Sequence, residues 1–253
     1  MHKTQKYINS IYPNAIKNKA LLLKPINAAS AGMLESCVKC DGKDYVYSSA
    51  VSVGEAIRGL CRGMTSWATV ELYYAAFYSL RAILAFENVC IFYIGGTPYS
   101  LHSSAGSIPK KMKGTTHKAV FSTYKEFRAE PVLLSQQINL QCPLEWLMEK
   151  REDTNYKVSK FVEPEIPRHY CMALSSGIRR SINEYLTDNV MLYAFDPDHA
   201  MIAYPLKSLQ IACDKLLKLG LPGYGDEEKV LLRSLFRDSN GPISELIRIF
   251  DGL

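Results

Sequence analysis

Glu71, Tyr74, Tyr78 and Arg81 place a carboxylate, two phenols and a guanidinium at helical spacing. At about 100° per residue they fall within an arc of roughly 80° on one helix. Such a stripe on an otherwise apolar helix needs polar company. It is either a satisfied structural network or one wall of a functional site. A second polar pair lies on a later helix, where Arg151 and Asn155 share a face with Leu144, Leu147, Met148, Val158 and Val162. An arginine buried there without a partner would cost several kcal/mol. The expected partners are Glu71 and the tyrosines of the stripe, whereas Glu152, Asp153 and Tyr156 point elsewhere. A third group is basic: Lys110, Lys111, Lys113 and Lys118, with Lys125 and Arg128 beyond, against the single acid Glu126. It reads as a solvated charged loop or as a patch that contacts phosphate. Cys37 and Cys40 form one C-x-x-C with no second pair, too few ligands for zinc, so no metal is expected.

The elements that must position these groups follow from the pattern. Trp67 to Asn88, WATVELYYAAFYSLRAILAFEN, has no Pro or Gly and is apolar nearly all round, which suits a helix inside a bundle. Ser48 and Ser49 could cap a helix to about Arg62, stopped by Gly63 and antiparallel to the central one. Upstream, Ile16 to Leu23 reads as a short helix ended by Lys24-Pro25. A second short helix through Ala28 to Cys40 would stop at an Asp41-Gly42 turn. Val89 to Ile94, then Gly95-Gly96 and TPYSL, read as a β-hairpin inserted between helices. A helix is predicted from about Thr116 to Arg128. Pro143 opens the helix of Arg151, predicted to run on to Val162. After Pro164 and Pro167, helices are predicted for Arg168–Leu186, Pro205–Leu219, Asp226–Arg237 and Pro242–Phe250. The sequence therefore divides at about residues 47 and 162.

The totals set the frame. The 253 residues are 47% hydrophobic and 22% charged, ordinary values for a globular protein with a real core. A net charge of +5 permits a nucleic-acid partner without demanding one. The most apolar run is interrupted by Glu71 and Arg81, so no membrane span is expected. The first ten residues lack the apolar core of a signal peptide. With seven scattered cysteines this points to reduced thiols in a cytoplasm.

Three segments together resemble the HEPN superfamily, in particular its small stand-alone bacterial members. They are YYAAFYSLRAIL (Tyr73 to Leu84), TTHKAVFSTYKEF (Thr115 to Phe127) and REDTNYKV (Arg151 to Val158), in matching order and spacing over about residues 48–162. The resemblance implies an up-and-down helical bundle, often dimeric. Many such proteins are metal-independent ribonucleases of toxin–antitoxin, phage-defence and CRISPR-linked systems. Their site resembles R-x4-6-H, with the arginine on transition-state charge and the histidine moving the proton. After Arg151 the corresponding positions hold Tyr156, Lys157 and Val158, so that motif is not intact. His117 follows a Gly-Thr-Thr turn at the head of a helix, where phosphate binds favourably. It could supply the missing proton transfer, or it could simply cap or pack. His102, His169 and His199 have no motif around them and read as surface or packing residues.

The expected fold is mainly α: an up-and-down helical bundle of HEPN type (48–162) with a small β-hairpin insertion. An N-terminal helical segment (1–47) and a C-terminal helical extension (163–253) flank it. The expected function is a non-catalytic or partner-binding helical subunit of a bacterial defence or toxin–antitoxin system, without a cofactor. Its partner would be a second copy of the chain or another protein of that system. The alternative is a metal-independent RNA endonuclease or RNA-binding effector. There Arg151 would hold phosphate, His117 would move protons, and Lys110, Lys111, Lys113 and Lys118 would bind the RNA backbone.

Overall fold

A computed structural model describes residues 2–238, 241–242 and 246. It is mainly helical. Helix α1 (Lys3–Ile11) and a short 3-10 turn (Lys19–Leu23) lead into α2 (Ala28–Cys61), and α3 (Thr65–Phe86) follows at once. A hairpin of β1 (Val89–Ile94) and β2 (Thr97–His102) is joined by β3 (Lys110–Lys111), and then comes α4 (Thr116–Phe127). Helix α5 (Pro143–Asn155) is followed by α6 (Arg168–Ser175), α7 (Ile178–Thr187), the single turn α8 (Leu192–Phe195), α9 (Ala200–Lys218) and α10 (Asp226–Leu235). Strands β4 (Arg237–Asp238) and β5 (Gly241–Pro242) form a small antiparallel pair. Of the helix expected from Pro242 to Phe250, Pro242 lies in β5, and everything else except Leu246 falls outside the described residues. No described helix is long and apolar enough to cross a membrane.

The chain forms two compact units that interleave along the sequence, unlike the sequential division expected at 47 and 162. One holds residues 1–45 and 80–130, the other 46–79 and 131–253. Helices α2 and α3 each contribute to both.

The first unit packs α1, the early half of α2, the end of α3, the sheet and α4. Ile8, Leu34, Val38, Ala85, Phe92, Ile94 and Leu101 belong to its core cluster. The sheet is antiparallel in the order β1-β2-β3. Ile94 pairs with Thr97 across Gly95-Gly96, both at positive φ, as a two-residue hairpin turn of this hand requires. The predicted Asp41-Gly42 turn does not exist, because the two short helices expected on either side are one helix, α2. Both residues serve tertiary contacts instead. The Asp41 carboxylate accepts the backbone N–H of Lys3 (2.8 Å) and of Thr4 (3.0 Å), satisfying orphan donors at the start of α1. Gly42 leaves room for α3, since a Cβ there would stand 2.7 Å from Cε1 of Phe86.

In the second unit the later half of α2 lies against α3. Ser49, expected as a cap, is instead a buried mid-helix residue whose hydroxyl donates to the Ala75 carbonyl (2.8 Å) and meets Ser79 Oγ (2.8 Å). The predicted long helix from Arg168 breaks into α6 and α7 at Gly177, which takes a φ of 90°. Helices α6, α7 and α8 pack on α9, whose residues from Ala200 to Leu209 are all buried. Pro205 lies inside α9, not in its first turn as predicted. Helix α5 stops at Asn155 and does not continue to Val162. Lys157 N–H bonds the Glu152 carbonyl (3.2 Å), one residue beyond the helical register, and the ladder ends there. Val158 and Val162 are consequently exposed, not part of an apolar helix face.

Candidate functional site

Helix α5 buries Arg151, whose side chain is 8% exposed. Its guanidinium carbon lies 4.7 Å from the centre of the Tyr73 ring and 5.4 Å from that of Tyr156. Its Nη2 reaches the Glu152 carboxylate at 3.3 Å. Its Nε is buried without a hydrogen-bond partner. The expectation of a buried Arg151 facing α3 therefore holds, and the partners differ from those expected. The aromatic face comes from Tyr73, next to the predicted stripe, and the carboxylate comes from Glu152, the next residue in sequence. A guanidinium is weakly hydrated and stacks on aromatic faces, so two rings and one acid can hold it. Asn155 is half-buried at the end of α5.

The stripe of α3 is the wetter side of a buried helix. Glu71, Tyr74, Tyr78 and Arg81 are all half-buried, while Leu72, Tyr73, Ala75, Ala76 and Phe77 are closed. The Tyr74 and Tyr78 rings lie 6.1 Å apart. Burial, and then the charge of Glu55 on α2, push the Glu71 carboxyl up to about 7. Arg81, in the other unit, covers the Tyr45 ring at 4.1 Å. Glu71, Tyr74 and Tyr78 belong to the second unit and Arg81 to the first.

The basic residues all lie in the first unit. Lys110 and Lys111 are not loop residues. They form the edge strand β3, paired with Ser100 and Tyr99. Lysines on an edge strand also guard it against pairing with other chains. Lys110 Nζ bonds Glu126 at 2.6 Å. Lys113 and Lys118 are exposed on either side of the Gly114 turn that starts α4, and His117 is half-buried in the first turn of that helix. Thr116 accepts a hydrogen bond from the Tyr93 hydroxyl (2.9 Å), fixing the helix start to β1. His117 and Arg151, paired in the ribonuclease reading, thus belong to different units.

Sequence reasoning passed over Glu163 and read His169 only as a surface or packing residue. Glu163 lies in the segment after α5. Its carboxylate accepts the Ser66 N–H (2.6 Å) and the Ser66 hydroxyl (2.6 Å), with the Thr65 hydroxyl at 3.4 Å. It caps the start of α3 from almost a hundred residues away. A serine and threonine at a helix start were the only signal available. His169 is wedged between Tyr170 (ring centres 4.5 Å apart) and Trp146 (6.4 Å). Its Nε2 is buried without a hydrogen-bond partner. Burial, and then the Lys150 charge, lower its pKa to about 4, so the ring is neutral at physiological pH. The other two unflagged histidines bond locally, His102 Nδ1 with Ser104 Oγ (2.9 Å) and His199 Nδ1 with the Tyr185 hydroxyl (2.8 Å).

All seven cysteines are free thiols, and burial pushes Cys90 up to about 12. Among the described residues no group of three His, Cys, Asp or Glu side chains is placed to hold a metal ion. No family model, curated protein or solved structure matches the chain.

Proposed function

We propose that this chain is a HEPN-like helical subunit of a bacterial defence or toxin–antitoxin system that works by binding a partner, not by cutting RNA. The enclosure of Arg151 carries this reading. A cutting arginine must leave its donors open to a phosphate, and this guanidinium is covered by Tyr73 and Tyr156 and paired with Glu152. The absence of a histidine five to seven residues after Arg151 agrees with that role.

A second copy of the chain is the partner. In the second unit Trp67 is 48% exposed and meets the half-open Phe161 ring edge-on at 5.7 Å. Met64, Val162 and Ile166, close to them in sequence, are also exposed. Exposed apolar groups of this kind commonly mark an interface. Light scattering on the intact chain should give about 57 kDa, twice the 28.5 kDa of one copy. Trp67→Glu should return it to a monomer. A wild-type monomer at micromolar concentration would remove the second copy as partner.

The RNA-binding reading is favoured by one observation, the outward exposure of Lys111, Lys113 and Lys118 beside His117. It predicts RNA affinity that falls steeply with salt.

A further inference from the structure

Cys37 and Cys40, the C-x-x-C of the sequence, lie on α2 in the first unit, and both are half-buried. Residues at that spacing are neighbours on one helix face. Across one turn their Cα atoms stand about 5 Å apart, inside the range of about 4.4–6.8 Å that a disulfide bridges. Helix α1 adds a cation to this face. The Lys3 ammonium donates a hydrogen bond to the Cys40 sulfur. The contact is anchored by Asp41, the residue after Cys40. Its buried carboxylate accepts the Lys3 N–H at 2.8 Å and the Thr4 N–H at 3.0 Å, which fixes the start of α1 beside the thiol. Lys39, next to Cys40 in sequence, is committed to Glu35.

Other thiols of the chain have different settings. Cys90 and Cys213 are closed to solvent, and burial pushes both up. Cys171 turns its sulfur to the Ile166 and Pro167 carbonyls. A thiol is oxidised as its thiolate, the form that an adjacent lysine ammonium favours. The contact with Cys40 in turn holds Lys3 in its charged form. Thiols that react with peroxide are open to solvent, stand beside a positive charge, and often have a second thiol close by. Cys40 meets all three conditions. Burial, and then the charge of Asp41, raise the Cys37 thiol, so Cys40 is the sulfur that meets the peroxide first.

We propose that Cys40 is a modification site for hydroperoxides, with Cys37 as its resolving thiol and Lys3 as the positioning residue. The Cys40 sulfur attacks the peroxide. An S–O bond forms, the O–O bond breaks, and water leaves with the thiol proton, giving a sulfenic acid. The Cys37 sulfur then attacks the Cys40 sulfur. The S–S bond forms, the S–O bond breaks, and the hydroxyl leaves as water with the Cys37 proton. Two thiols and one hydrogen peroxide thus give one disulfide and two waters, the thiols being oxidised and the peroxide reduced. Closing the bond draws the Cβ atoms from about 5–6 Å to about 4 Å, so it forms under strain and is readily reduced again. None of these groups takes part in the partner-binding reading, so the two stand or fall separately.

The test treats the full chain with hydrogen peroxide and locates the modified thiols by mass spectrometry, with dimedone to trap sulfenic acid. Wild type should lose two hydrogens between Cys37 and Cys40, and dithiothreitol should restore both thiols. In Cys37→Ser the sulfenic acid should persist on Cys40. It should take up dimedone at least about tenfold faster than the exposed Cys61 and Cys171. Lys3→Met, with its fold checked by circular dichroism, should slow the oxidation of Cys40 by about tenfold, and Lys3→Arg should keep most of the rate. The proposal is overturned if Cys40 reacts no faster than Cys61 and Cys171, or if wild type accumulates the Cys40 sulfenic acid without the disulfide. It is equally overturned if Lys3→Met leaves the rate unchanged or if Lys3→Arg is as slow as Lys3→Met.

Discussion

The guanidinium of Arg151 lies over the Tyr73 ring, 4.7 Å from its centre, and both side chains are almost closed to solvent. A desolvated cation on an aromatic face is worth about 2 kcal/mol. Removing the guanidinium also leaves a gap against the buried Tyr73 ring. Arg151→Ala should therefore destabilise the fold by about 3 kcal/mol, measured by urea unfolding. A double-mutant cycle with Tyr73→Leu should show coupling of about 1–2 kcal/mol. Additive effects would mean that the ring does not hold the cation.

Glu163 should make the fold sensitive to acid. Burial alone would raise its carboxyl. The hydrogen bonds from Ser66 and Thr65 outweigh this and hold it below its ordinary value of 4.5. A depressed folded pKa contributes stability that is present above the unfolded value and is lost as pH falls through the folded one. Glu163→Gln should lower the melting temperature at pH 7, and the difference from wild type should shrink below about pH 4.5. A constant difference down to pH 3 would argue against the cap.

Glu71 should act in the opposite direction. Its carboxyl is raised from 4.5 to about 7 in the folded protein, so the folded state binds the proton more tightly than the unfolded chain. Stability then falls as pH rises between these values. Glu71→Gln should flatten that slope and raise the melting temperature at pH 8 more than at pH 5. Glu55→Gln should do so more weakly, because Glu55 is the smaller of the two causes. An unchanged slope in both variants would contradict the stated environment of Glu71.

Local signals were legible wherever the chain follows local rules. The apolar run of α3 and the Gly-Gly hairpin of β1 and β2 stand where the pattern put them. So does the burial of Arg151, because the α5 wheel up to Leu147 was correct. What failed were residues with tertiary work. Asp41 and Gly42 read as a turn, yet one caps α1 and the other admits Phe86, so the helix runs through both. Arg151 was expected to meet Glu71 and the tyrosines of the stripe because a buried cation needs a polar partner, whereas the ring it lies over is Tyr73, just off that stripe. Glu163 and His169 carry no local motif. Their environments are made by residues far away in sequence, Ser66 for one and Trp146 for the other.

The claim that this chain binds and does not cut is tested most directly by its action on RNA. Purified protein would be incubated with end-labelled single-stranded RNA in EDTA, beside Arg151→Ala and His117→Ala whose folds have been checked. The closed setting of Arg151 predicts intact RNA with all three proteins. Cleavage by the wild type that disappears in either folded variant would contradict the account and restore the ribonuclease reading.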